Sequence, residues 1–229
     1  MTTKLDKKQI KCAVFDLDGT LLNTIKTINH YLNLALNKNG LGNISEEKCA
    51  SFIGDGAVKL VERALFDLGA DDEAVFSRVF ADYNAAYDAD PYYLTEIYEG
   101  VTDALYSLRE QDITLAVLSN KPDFATKSAV SYFFGDAFDI VAGAIDGVRL
   151  KPHPDSLLSM LSTLGFTPSE TVYVGDSQQD ILTAKNASVS RCISVTWGFR
   201  SREQLISAGA DCLVHTSYEL LNKIRADVI

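Results

Sequence analysis

The run Cys12-Ala13-Val14-Phe15-Asp16-Leu17-Asp18-Gly19-Thr20-Leu21-Leu22 decides how the rest of the chain is read. Its first half is short, apolar and rich in Val and Phe, and a glycine bounds the run, which reads as a buried strand. Asp16 and Asp18 stand where that strand should end. In an open parallel sheet, ligands gather in the crevice outside the carboxyl ends of the strands. Two acids there repel each other unless a cation sits between them. Mg²⁺ is the natural candidate, being hard, oxygen-ligated and reluctant to shed its waters. Taken alone, Asp16-x-Asp18-Gly19 reads equally well as ordinary Asp-Gly turn chemistry, so the remaining sequence has to decide.

Outward from that strand the apolar period changes. From Thr24 to about Tyr87 apolar residues fall at helical spacing, beginning Ile25, Ile28, Leu32 and Leu36, with Gly40 and Gly42 closing the first helix. Ser45 reads as the cap of a second helix, a third follows Gly54-Asp55-Gly56, and a fourth carries Val75, Val79, Phe80 and Tyr83. No strand is expected in this stretch. From Gly100 onward, apolar strands alternate with helices: strands over 113–118, 138–141, 171–174, 192–195 and 212–214, with Asp146-Gly147 as a hairpin turn between two small β segments. Such alternation predicts an α/β fold, a doubly wound parallel sheet covered on both faces. Ser188 occupies a position where a helix-ending glycine is expected.

Composition narrows the function. Of 229 residues, 47% are hydrophobic and 23% charged, ample for a buried core. The formal net charge of −10 argues against nonspecific binding to nucleic acid or an anionic membrane. An anionic substrate would need local cations, a metal or backbone amides. Cys12, Cys49, Cys192 and Cys212 are scattered without Cys-x-x-Cys spacing and read as buried thiols rather than a disulfide framework. The first eight residues lack an apolar signal region and no apolar run reaches spanning length, so a reducing cytoplasmic setting is expected. No sequence signal separates monomer from homodimer.

Polar residues suited to one reaction end three of the strands: Asp16-x-Asp18, Ser119-Asn120, and Gly175-Asp176-Ser177 with Asp180 a turn later, while Lys151-Pro152-His153-Pro154 begins a fourth segment. Carboxyl ends of parallel strands share one sheet edge, so these groups can converge. Together they supply a carboxylate nucleophile, a second carboxylate for acid–base work, a third to help hold Mg²⁺, and a lysine and a hydroxyl for phosphoryl oxygens. In order, Asp16-Leu17-Asp18-Gly19-Thr20, Ser119-Asn120, Lys151-Pro152-His153-Pro154 and Gly175-Asp176-Ser177-x-x-Asp180 resemble the four motifs of the haloacid dehalogenase-like phosphohydrolases.

The resemblance implies a Rossmann-like core formed by residues 1–22 and 93–229, with residues 23–92 inserted as a small helical cap. It implies Asp16 as nucleophile, Asp18 as acid and base, and Mg²⁺ on the Asp16 carboxylate, the Asp18 backbone carbonyl and Asp176. Ser119 and Lys151 would hold the phosphoryl group and Asn120 would add an amide donor. Asp180, with Ser177 beside it, would orient Lys151 or a water on the metal. Within the family, Ile53-Gly54-Asp55-Gly56-Ala57, Lys151-Pro152-His153-Pro154-Asp155 and Trp197-Gly198-Phe199 resemble the phosphoglycolate phosphatases. Gly54, Asp55 and Gly56 thereby become candidate substrate-binding residues, since a glycine-flanked turn entering a helix offers N–H groups to a carboxylate. Asn23 and Glu96-Ile97-Tyr98-Glu99-Gly100 depart from the family pattern. The expected partner is a small phosphorylated metabolite. A phosphatase for a sugar phosphate, nucleotide or pyrophosphate, a β-phosphoglucomutase-like mutase, and a noncatalytic binding protein are the alternatives. The aromatic residues Tyr83, Tyr87, Tyr92 and Tyr93 read as packing between cap and core, and Arg200 and Arg202 as solvated.

Overall fold

The computed structural model describes residues 9–226, and the reading of residues 1–8 lies outside them. The chain opens with β1 (Cys12–Phe15) and the two-residue β2 (Leu22–Asn23). It then runs through α1 (Ile25–Lys38), α2 (Glu46–Phe52), α3 (Gly56–Asp67) and α4 (Glu73–Ala89), and returns through β3 (Glu96–Ile97). Alternation follows: α5 (Val101–Arg109), β4 (Thr114–Pro122), α6 (Asp123–Phe134), β5 (Ile140–Ala144), α7 (Asp155–Leu164), β6 (Thr171–Gly175) and α8 (Gln178–Ala187). It ends with β7 (Arg191–Val195), α9 (Arg202–Ser207), β8 (Leu213–Val214) and α10 (Ser217–Arg225).

Six strands form one parallel sheet in the order β5-β4-β1-β6-β7-β8, as the alternation predicts. β1 lies inside it, Phe15 registering with Val117 of β4 on one side and Val174 of β6 on the other. The chain builds outward from β1 through β4 to β5, then crosses back to build β6, β7 and β8. That reversal puts the switch-point crevice at the end of β1.

Alternate residues of a strand face opposite sides. Ala13 and Phe15 join Leu115, Val117, Val172 and Val174 against α5, α6 and α10. Cys12 and Val14 join Ala116, Leu118 and Tyr173 against α7 and α8. Each fully buried Val, Leu or Phe side chain contributes roughly 1.5–3 kcal/mol. A third cluster belongs to the inserted helices: Ile28, Leu32 and Leu36 of α1 meet Leu60, Val61 and Leu65 of α3 and Val79, Tyr83 and Tyr87 of α4. Among the described residues no helix is long and apolar enough to cross a membrane.

Two details differ from the sequence reading, and a third, at Ser188, agrees with it. β2 and β3 pair antiparallel, Leu22 with Ile97 and Asn23 with Glu96, where the chain leaves and re-enters the sheet. Two-residue strands have no periodicity to read, so only pairing reveals them. No strand follows Asp146-Gly147: the turn closes through Val148 N–H to Ile145 O at 3.1 Å and the chain runs irregularly to α7. Pro152 and Pro154 in that stretch have no N–H for a ladder. Ser188, exposed at the end of α8, sits in the left-handed region at φ 56°, ψ 40°. That conformation costs a non-glycine residue about 1–2 kcal/mol, while glycine has its own entropic cost. Ser188→Gly is therefore expected to stabilise the protein by about 0.5–1 kcal/mol, raising Tm by a few degrees in thermal melts. An unchanged or lowered Tm contradicts this account.

Candidate active site

The expected residues converge at one edge of the sheet. Asp16 follows β1, Ser119, Asn120 and Lys121 lie in the last part of β4, Lys151 precedes α7, and Asp176 follows β6. Asp16, Asp18, Ser119, Asn120, Lys151, Asp176 and Ser177 all line one cavity of about 650 Å³ between the sheet edge and the inserted helices.

Lys151 is the electrostatic centre. Its ammonium, 3% exposed, lies 2.9 Å from Asp16 Oδ1 and 2.7 Å from Asp180 Oδ1. Burial works against its charge, but the two carboxylates outweigh that and hold its pKa well above the ordinary lysine value. Asp180 sits in the first turn of α8 with both oxygens engaged. Its Oδ2 accepts from Ser177 N–H at 3.0 Å and from Ser177 Oγ at 2.5 Å, so Ser177 caps the helix while Asp180 steadies Lys151.

Asp16 Oδ1 also accepts the Leu17 N–H at 2.7 Å, which leaves Oδ2 without a partner among the described residues. Burial, with the Asp180 charge behind it, raises the Asp16 pKa to about 7 despite Lys151. Asp176 accepts from Phe199 N–H at 2.7 Å and Thr20 Oγ1 at 3.3 Å. Burial, then the charges of Asp180 and Asp16, raise its pKa to about 8. Gly19 and Gly198 close over its carboxylate so tightly that a Cβ at either would collide with it.

Carboxylate oxygens of Asp16, Asp176 and Asp180 lie within 4.8 Å of one another. With all three ionised, three negative charges face the single Lys151 ammonium, a net −2. Hard oxygens short of countercharge suit a hard dication such as Mg²⁺. Asp180 is wholly buried beneath Lys151, whereas Asp16 and Asp176 line the cavity, so these two are the side chains that fit such an ion.

Ser119 is buried at the cavity wall, and its Oγ accepts the Lys121 N–H at 3.3 Å. Asn120 ties two segments together: Nδ2 donates to Gly54 O at 2.8 Å and Lys151 O at 3.1 Å, and Oδ1 accepts Lys151 N–H at 2.9 Å. Both amide hydrogens are thus engaged within the protein. Gly54 and Gly56 have φ of +127° and +87°, which only glycine adopts freely, and Gly56 begins the 12-residue α3 beside the cavity. Asp55 between them pairs with Arg63 and accepts from Gln179 Nε2 at 2.7 Å.

The family model for haloacid dehalogenase-like hydrolases matches residues 13–194. The chain belongs to the haloacid dehalogenase-like hydrolases. This hydrolase is 32% identical over 224 residues to the phosphoglycolate phosphatase of Yersinia pseudotuberculosis, covering 95% of this chain and 94% of the relative. It is 33% identical over 193 residues to that of Pseudomonas putida, covering 82% and 70%. A crystal structure from Lactobacillus delbrueckii subsp. bulgaricus, provisionally assigned as a phosphoglycolate phosphatase, superposes with a TM-score of 0.88 at 31% identity, covering 94% and 98%. A provisionally assigned β-phosphoglucomutase from Thermotoga maritima shares the fold alone, at TM-score 0.72 and 21% identity over 95% and 99%.

Sequence reasoning missed three residues of the hydrolase site. Arg200 is not solvated: half-buried, it donates from Nη1 to Ala50 O and from Nη2 to Ile53 O, both at 2.5 Å, strapping the α2–α3 turn to the sheet edge. Lys121 contacts both Asp18 oxygens, at 3.2 and 3.3 Å, and Tyr87 Oη at 2.6 Å. Adjacency to Ser119-Asn120 was a usable signal for Lys121. None existed for Tyr87, whose helical spacing from Tyr83 reads as core, and which does pack Tyr83 and Tyr31 with ring centroids 5.7 and 5.6 Å away. Tyr92 instead stacks on Tyr132 of α6 at 4.2 Å.

Proposed function

We propose that this phosphatase hydrolyses a small phosphate monoester through an aspartyl-phosphate on Asp16, with phosphoglycolate as its leading substrate. The observation that carries the reading is the buried Asp16 carboxylate lining the cavity, one oxygen held by Lys151 and the Leu17 N–H and the other without a partner among the described residues. Asp16 attacks phosphorus as the bond to the leaving oxygen breaks, and Asp18 gives that oxygen its proton. The Asp18 carboxylate then takes a proton from water, whose oxygen attacks phosphorus and breaks the bond to Asp16. Phosphate leaves and Asp16 is restored. Lys151 and Ser119 bind phosphoryl oxygens throughout. Asp16, Asp176 and the Asp18 backbone carbonyl would hold Mg²⁺, which when bound neutralises charge between nucleophile and phosphate.

Two things favour phosphoglycolate: the names of the curated relatives and the glycine-flanked turn before α3, whose free N–H groups suit a carboxylate. The helices over 23–92 act as a cap that selects the leaving group. The test is phosphate release from phosphoglycolate, sugar phosphates, nucleotides and pyrophosphate, with Mg²⁺ or chelator. Mg²⁺-dependent release led by phosphoglycolate supports the whole reading, and release led by another ester keeps the chemistry and discards the substrate. No release from any ester overturns it.

The metal has a second readout. With folded-state values near 7 and 8 against an ordinary 3.8, Asp16 and Asp176 keep protons that the unfolded chain has already lost. The folded state therefore binds more protons between about pH 4 and 8, and metal-free stability falls as pH rises through that window. A dication reverses the loss by replacing the protons. Thermal melts should show an Mg²⁺-induced rise in Tm that grows from about pH 6 to pH 8, whereas an equal rise at both would contradict the raised pKa values.

A further inference from the structure

Lys121 is nearly buried, its side chain 8% exposed, and its pairing differs from that of Lys151. Burial disfavours its charge, but Asp18 and Tyr87 outweigh that. Its ammonium has three hydrogens and three acceptor atoms around it: Asp18 Oδ1 at 3.2 Å, Asp18 Oδ2 at 3.3 Å and Tyr87 Oη at 2.6 Å. Lys121 lies at the end of β4 and Asp18 follows the neighbouring strand β1, whereas Tyr87 belongs to α4 of the inserted helices. The same ammonium lies 4.8 Å from the centre of the Tyr87 ring. Tyr87 is itself fixed by Tyr31 and Tyr83, at 5.6 and 5.7 Å, so its oxygen reaches Lys121 only when the inserted helices are seated on the sheet edge.

We infer that Lys121 and Tyr87 are positioning residues for the proton-transfer group: Lys121 holds the Asp18 carboxylate aimed into the cavity, and Tyr87 makes that hold depend on α4 being seated. In this role both act through Asp18, to which Lys121 is bonded and Tyr87 is linked by Lys121. The inference rests on the assignment of Asp18 as acid and base. It adds that proton transfer is assembled by the inserted helices, whereas the nucleophile, set by Lys151, Asp180 and the Leu17 N–H, is assembled by the sheet edge alone.

That division predicts a split between the two chemical steps. p-Nitrophenyl phosphate expels its leaving group without a proton, so transfer of its phosphoryl group to Asp16 needs no help from Asp18. Hydrolysis of the resulting acyl phosphate does need Asp18, which must take the proton of the attacking water. In Lys121→Met with excess Mg²⁺, the first turnover of p-nitrophenolate should stay within about three-fold of wild type while steady-state release falls about 100-fold, the lower end of what acid–base catalysis contributes. Acid-quenched protein should then carry about one phosphate per chain. Parallel loss in both phases, or no loss in either, overturns the inference. Tyr87→Phe keeps the ring packing and drops only the oxygen; steady-state kcat on p-nitrophenyl phosphate should fall about ten-fold with kcat/KM within two-fold of wild type. An unchanged kcat there overturns the coupling to α4, and this variant decides the matter should Lys121→Met not fold. A wild-type protein that releases no p-nitrophenolate sinks the Asp16–Asp18 assignment itself, an outcome distinct from failure of the variants.

Discussion

Asp16→Asn is expected to abolish turnover while leaving the protein folded. Removing a covalent nucleophile costs roughly 10⁴-fold or more in kcat, because every other group is arranged around a step that no longer occurs. Stability should move the other way. In the metal-free protein above neutral pH, Asp16 is a buried charge near Asp176 and Asp180, and burial with repulsion from Asp180 raises its pKa to about 7. An amide of the same shape still accepts from the Leu17 N–H and Lys151 through its carbonyl oxygen, and Lys151 keeps Asp180 at 2.7 Å as its counterion. Thermal melts in chelator at about pH 8 should therefore give a Tm equal to or above wild type. Measured kcat within ten-fold of wild type would remove Asp16 from the chemistry, and collapse of the fold would show that its charge is structural.

Lys151→Met should be damaging in both respects. The substitution keeps the aliphatic stem and deletes the cation that, among the described residues, bridges Asp16 and Asp180, leaving two buried carboxylates without a counterion. Breaking a buried ion pair by removing one partner typically costs 3–5 kcal/mol, here about 10 °C in Tm for a chain of this size. Loss of a charged donor to the phosphoryl oxygens should lower kcat by about 10²–10³-fold as well. The stability loss should shrink as pH falls through the raised pKa of Asp16, about 7, so melts at about pH 5 and pH 8 separate the electrostatic effect from a packing defect. A pH-independent loss would contradict the account. The contrast between the two variants is informative because both act on one 2.9 Å contact: neutralising the acid relieves repulsion, and removing the base creates it.

The exposed, cap-forming and buried roles of acids in this chain could not be told apart by residue type. Asp55 follows Gly54 and Asp180 stands three residues after Ser177, both at a helix start, yet Asp55 pairs with Arg63 in the turn before α3 whereas Asp180 is wholly buried beneath Lys151. Asn120 reads as a donor for ligand, and its amide hydrogens go to Gly54 O and Lys151 O. Which acceptor a side chain reaches depends on segments brought in from elsewhere, and for Asn120 those lie 66 and 31 residues away.

By itself the sequence determined the architecture and the polar residues that end its strands. Buried parallel strands must be apolar along their whole length and must end where the polar groups begin, so Val14-Phe15-Asp16, Leu118-Ser119 and Val174-Gly175-Asp176 mark both strand and strand end. Helical insertion after the first strand was equally visible, because a 3.6-residue period over α1 to α4 cannot be mistaken for a two-residue one. Only the tertiary structure decided which charges meet. Lys121, 103 residues from Asp18, reaches it because β4 and β1 are adjacent, and Tyr87 reaches Lys121 because α4 folds back over the sheet edge. Arg200, legible as a surface cation, spans 147 residues to grip the Ile53 carbonyl. Local patterning records what each segment must bury. Pairing between distant polar groups leaves no periodic trace, since any lysine, tyrosine or arginine with the right reach would satisfy the same period.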